Sequence, residues 1–112
     1  MRYFIYSDIE ITEVGANTYE FWHEQNSENF KLPDFEITVE ETVYSMETMY
    51  HGAIDKDEDI LPFVIFYFED NLVLTEEGIK REYFRDEIFY FKTFEEMHEK
   101  YSEIVVTLSA KI

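Results

Sequence analysis

The chemistry-bearing residues of this chain are overwhelmingly carboxylates. Asp55, Asp57 and Asp59 alternate within Asp55-Lys56-Asp57-Glu58-Asp59, and Glu20, Glu24 and Glu28 recur every fourth residue. The alternating aspartates have the spacing of the first ligands of an EF-hand. In that loop, however, the sixth position would be Ile60 instead of glycine and the twelfth Phe66 instead of glutamate, so calcium is not expected. His23, His51 and His98 fall in no HExxH or other close ligand spacing, and there is no cysteine to supply a thiolate nucleophile, zinc ligand or disulfide. No phosphate-cradling glycine motif occurs, the serines have no nucleophile-elbow context, and only three glycines are present. Among 26 acidic residues any single pair is uninformative for acid–base work. The expectation is a protein without enzymatic activity, cofactor or metal.

A formal charge of −17 arises from 26 acidic against 9 basic residues. Such a field repels nucleic acid and anionic lipid and attracts basic proteins. It exceeds the charge of about 2–8 that keeps a small domain soluble, and it predicts stability that improves with added salt. Lys80, Arg81 and Arg85 are interrupted by Glu82, which is not the pattern of a phosphate-binding patch. Hydrophobic residues make up 46% of the chain and aromatics 19%, too many for disorder, so 112 residues are read as one folded domain, 1–112. No signal-peptide pattern or membrane span is visible, which makes cytoplasmic residence the default expectation.

The elements that must position these groups alternate in type. Residues 3–14 favour a strand, with Ile9 and Ile11 opposite Glu10 and Thr12, although Ile5, Ile9 and Thr12 also tolerate a helix. Residues 18–30 read as a helix whose glutamates line one face, either for a partner or as a solvated stripe; Trp22 is an interface anchor or core. Pro33 closes that segment. Thr38-Val39-Glu40-Glu41 fits a capping box, and Val39, Val43, Met46 and Tyr50 then predict a helix from about 39 to 50. That helix would show Glu40, Glu41 and Glu47 to solvent and turn Met46 and Met49 toward the core or a pocket rim; Phe35, Ile37 and Val39 compete as a short strand.

The run Ile60 to Phe68 has the content of a buried central strand. Turns are expected at Glu69-Asp70-Asn71, Glu76-Glu77-Gly78 and Arg85-Asp86-Glu87, a second capped helix from Thr93 through Tyr101, and a final strand at Ile104–Leu108. The sum is an α+β domain: a mainly antiparallel sheet of four to five strands packed with two or three helices.

Taken together, Leu32-Pro33-Asp34, then Ile60-Leu61-Pro62-Phe63-Val64-Ile65-Phe66-Tyr67, Ile88-Phe89-Tyr90-Phe91, a short helix and Ile104-Val105-Val106-Thr107-Leu108 resemble the staphylococcal type of uracil-DNA glycosylase inhibitor over roughly residues 20–108. The resemblance implies a DNA mimic whose carboxylates sit where the glycosylase grips phosphates. It also implies an apolar pocket for the enzyme's protruding leucine, for which Met46 and Met49 are the candidates. Glu20 falls where the family has an acidic residue on its edge segment, but Phe21-Trp22-His23-Glu24 replaces the family's Glu-Ser-Ile. Restriction, nuclease or CRISPR effectors therefore stay open as targets. So does an acidic module that binds a basic protein without mimicking DNA. The expected partner-binding residues are Glu20, Glu24, Glu28, Asp34, Glu40, Glu47, Asp55, Asp57, Asp59, Met46 and Met49, with a basic DNA-binding protein as partner and neither nucleic acid nor membrane bound directly.

Overall fold

The structure, a computed structural model, describes residues 1–7, 10–54 and 61–112. It is an α+β protein. Among the described residues, β1 (Arg2–Ser7), β2 (Glu10–Val14) and β5 (Ala53–Ile54) form a small sheet, and β3 (Phe35–Val39), β4 (Thr42–Tyr50), β6 (Phe63–Thr75) and β7 (Gly78–Phe91) form a larger one. Every pairing is antiparallel, and the larger sheet runs β3-β4-β6-β7, a meander. Helix α1 (Ala16–Asn26), a 3-10 turn (Ser27–Phe30) and helix α2 (Phe94–Ser109) complete the fold.

Strand alternation divides the larger sheet into two faces. One face carries Phe35, Met46, Tyr50, Phe63, Ile65, Phe89 and Phe91, all part of the core with Met97, Tyr101, Ile104 and Val105 of α2. The other carries Glu47 and Met49 beside Val64, Phe66, Ile88 and Tyr90. The core is aromatic-rich. Phe30 touches Tyr6 and Phe63 edge-on at 5.6 Å and stacks on Trp22 at 5.9 Å, geometries that favour contact between ring edges and faces. Trp22 therefore belongs to the core.

Thr48, only 4% exposed, ties the segment after the 3-10 turn to β4: its hydroxyl accepts from Leu32 N at 2.8 Å and donates to Leu32 O at 3.3 Å. Gly52 is required by packing. Its amide oxygen accepts from Phe4 N at 2.7 Å, and a Cβ there would run into Phe4 O and lie 2.8 Å from the Tyr50 ring.

Five segments differ from their sequence reading. Residues 39–50 are not a helix: Glu40 and Glu41 form a two-residue hairpin turn and β4 follows. The apolar β6 needs hydrogen-bonded neighbours on both sides, and the nine-residue pairing of β4 with it outweighs a local capping signal. The β-branched and aromatic Thr42, Val43, Tyr44 and Thr48 suit a strand in any case.

Glu69-Asp70-Asn71 and Arg85-Asp86-Glu87 are not turns either. They lie inside strands of 13 and 14 residues, where Glu69 pairs with Arg85 and Phe68 with Asp86. Cross-strand opposite charges stabilise what single-strand reading takes for breakers. The expected final strand at 104–108 is the second half of α2, because Met97, Tyr101, Ile104, Val105 and Leu108 follow helical spacing toward the sheet. The described part of residues 3–14 is two antiparallel strands, β1 and β2, instead of one.

Other expectations match. The turn at Glu76-Glu77 is present, with Gly78 at φ +117 and the Thr75 hydroxyl donating to Gly78 O at 2.8 Å. The Thr93 hydroxyl caps α2 by accepting from Glu96 N at 3.2 Å. Residues 18–30 are helical, as α1 followed by the 3-10 turn.

Candidate partner-binding surface

Helix α1 has neither a side-chain cap nor an acidic residue in its first turn, and its sequence has little two-sided character. Its helicity depends on packing instead: Tyr19 is buried, Tyr3 lies against the Tyr19 ring at 5.1 Å, and Trp22 and His23 rest on Tyr50. That leaves Glu20 and Glu24 outward, about 6 Å apart along the axis at one turn's spacing. Glu28 continues the exposed stripe from the 3-10 turn. Asp34 is exposed just before β3, Glu40 at the hairpin turn and Glu47 on β4. The ion pairs among the described residues use Glu13, Glu36, Glu69, Asp70, Glu77, Glu87 and Glu103, and none of these six candidates. Glu40 is held at φ +57, the left-handed region that disfavours a side chain with a Cβ. Asp55, Asp57 and Asp59 lie outside the described residues.

The paired acids are scaffold. Arg81 joins two strands, donating to Glu36 of β3 and Asp70 of β6 at 3.0 Å each. Arg85 pairs with Glu69. The acidic surface therefore separates into carboxylates neutralised within the chain and carboxylates that are left for water or a partner.

Met46 and Met49 do not share a recess. Three residues apart on a strand, they point to opposite faces: Met46 is fully buried in the core, and Met49 is 42% exposed on the other side. A different recess lies between α2 and the β6–β7 ribbon. It has a volume of about 200 Å³, with Tyr67, Phe89, Ile104 and Leu108 as apolar lining and Arg85, Glu87, Lys100 and Glu103 as charged rim. That is below the roughly 300–1,000 Å³ of small-molecule sites and is of the size to take one or two side chains.

The walls of the recess are well fixed. The Lys100 ammonium sits 5.0 Å over the Phe89 ring and pairs with Glu103 at 3.2 Å. Tyr67 donates to Glu69 at 2.8 Å under the Arg85 guanidinium. Burial pushes the Tyr67 phenol above its ordinary pKa, and the hydrogen bond to Glu69 adds to the rise; that same carboxylate holds the Arg85 guanidinium above its usual value.

Sequence reasoning missed this recess because it placed a turn at 85–87 and a strand at 104–108. The signal that was present is the spacing of Met97, Tyr101, Ile104 and Leu108.

Among the described residues there is no group of three or more His, Asp or Glu side chains arranged to hold a metal. No helix among them is long and apolar enough to cross a membrane. No protein-family model, curated protein or solved structure matches the chain.

Proposed function

We propose that this chain is a cytoplasmic inhibitor that occupies the basic DNA-binding groove of a DNA-processing enzyme, with uracil-DNA glycosylase as the first target to test. The observation that carries this reading is the exposed stripe Glu20, Glu24 and Glu28, which enters no ion pair with the described residues although it repels itself along the helix. Like charges kept at helical spacing on an ordered scaffold need little reordering to replace a row of phosphates against lysines and arginines. The recess between α2 and the β6–β7 ribbon would receive an apolar side chain that the enzyme otherwise pushes into the base stack. Charge then supplies attraction and the recess supplies selection.

The test is uracil excision from duplex DNA with the chain added at one equivalent. Inhibition, with a complex that excess duplex DNA displaces, supports the reading. Full activity and no complex on a sizing column remove the glycosylase. Capture of DNA-binding proteins from lysate that duplex DNA displaces would then identify another groove. A basic protein bound whether or not DNA is present favours an acidic binding module without DNA mimicry.

A further inference from the structure

Among the described residues strand β7 is an unpaired edge of the larger sheet, 14 residues and about 45 Å long, with Ile79, Tyr83, Phe84, Ile88 and Tyr90 42–70% exposed. Long apolar edges are ready templates for another strand, and proteins usually blunt them. Here the edge carries charges in a particular order. Lys80, Arg81 and Glu82 precede the aromatic pair Tyr83-Phe84, and Arg85, Asp86 and Glu87 follow it.

The pairing with β6 contains a bulge. Glu69 stands opposite Arg85 and Asp70 opposite Tyr83, so Phe84 is the extra residue. An inserted residue reverses side-chain parity. Lys80 and Glu82 therefore share the helix-covered face with Arg85 and Glu87, whereas Ile79, Arg81 and Tyr83 share the other face with Asp86 and Ile88.

We infer that β7 pairs antiparallel with β7 of a second copy of this chain, centred on Tyr83-Phe84. Antiparallel partners that stand opposite each other must share a face. Without the bulge, Lys80 and Glu87 would lie on opposite faces; with it they share one. In the centred register Lys80 meets Glu87, Glu82 meets Arg85, Arg81 meets Asp86 and Ile79 meets Ile88, and the two-fold axis makes each contact twice. A slip of two residues either way sets Lys80 against Arg85, or Glu82 against Glu87. One register alone is complementary.

Lys80, Arg81, Arg85 and Glu87 are 45–55% exposed, and the new contacts would share or replace the pairs that Lys80 makes with Glu77, Arg81 with Glu36 and Asp70, and Arg85 with Glu69. The second copy would also bring Lys80 and Glu82 to the rim of the recess, beside Glu87 and Arg85 of the first. The formal charge of −17 on each copy opposes association at low salt, so the dimer forms best where that long-range field is screened.

Sedimentation of the purified chain in about 0.3 M salt tests this, because screening is then strong. The wild type should sediment as a dimer at micromolar concentration. K80E and E87K, both at exposed positions, should each weaken dimerisation by about tenfold or more by placing like charges opposite one another twice. Mixed in equal amounts, the two variants are complementary again, and native mass spectrometry should find the heterodimer while neither variant self-associates. Circular dichroism of each variant alone establishes that it is folded. A wild type that stays monomeric up to about 100 μM overturns the inference. So does dimerisation of K80E or E87K at wild-type strength, and so does a mixture that remains monomeric.

Discussion

The two helices of this molecule are built on opposite principles. Helix α2 starts with strong local support: the Thr93 cap, Glu95 and Glu96 in its first turn where the helix dipole favours them, and a stripe from Met97 to Leu108 that buries against the sheet. Helix α1 has no side-chain cap and no acidic first turn, and it carries glutamates spaced to repel one another. It stands because Tyr19, Trp22 and His23 pack on Tyr3 and Tyr50. The carboxylates of α2 that begin the helix serve the helix. Those of α1 enter no ion pair with the described residues, and that contrast is what supports the proposed partner.

The contrast is easiest to break at α2. Met97→Ala removes a fully buried side chain under the sheet and should cost about 2–5 kcal/mol in denaturant unfolding, enough to unfold much of the protein if its stability is ordinary. Reversing Glu20, Glu24 and Glu28 to lysine should do the converse. Target affinity should fall about tenfold or more, measured by calorimetry, while the unfolding free energy stays level or rises by a few tenths of a kcal/mol, because the stripe's own repulsion persists but the net charge falls from −17 to about −11. A lost fold, or unchanged affinity, would take the stripe out of the interface.

Replacing the cap, Thr93→Ala, should cost about 1 kcal/mol without altering binding. Glu40→Gly relieves a left-handed residue at the β3–β4 turn and should gain up to about 1 kcal/mol in thermal unfolding. If Glu40 also meets the partner, that gain comes with weaker binding.

Both helices also contribute to one pH effect. Burial raises the phenol pKa of Tyr19 on α1 and of Tyr101 on α2, as it does for Tyr50 and Tyr67 in the sheet. A phenol whose folded pKa lies above the unfolded value of about 10 leaves stability unaffected below that pH. Above it the unfolded chain ionises first, so stability falls as pH rises through 10 and beyond. Chemical denaturation followed between about pH 8 and pH 11 should show a plateau and then a decline. Stability rising over that range would contradict the assignment.

The sequence by itself determined the class of the fold, the carboxylate excess, the turn at Glu76-Glu77, the Thr93 cap and a buried strand within the run Ile60 to Phe68, because each rests on residue type or on neighbours a few positions apart. The tertiary structure decided what depends on distant pairing. Thr38-Val39-Glu40-Glu41 has the letters of a helix start, yet β6 claims the following residues as its neighbour strand. Asp70 and Arg85 look like breakers until Arg81 reaches Asp70 diagonally and Glu69 stands across from Arg85. Met46 and Met49 fit one recess on a helix and opposite faces on a strand. The recess itself, between α2 and the β6–β7 ribbon, is written in no single segment. Local signals carry only a few kcal/mol, and a long-range pairing that buries apolar area on both sides of a strand outweighs them.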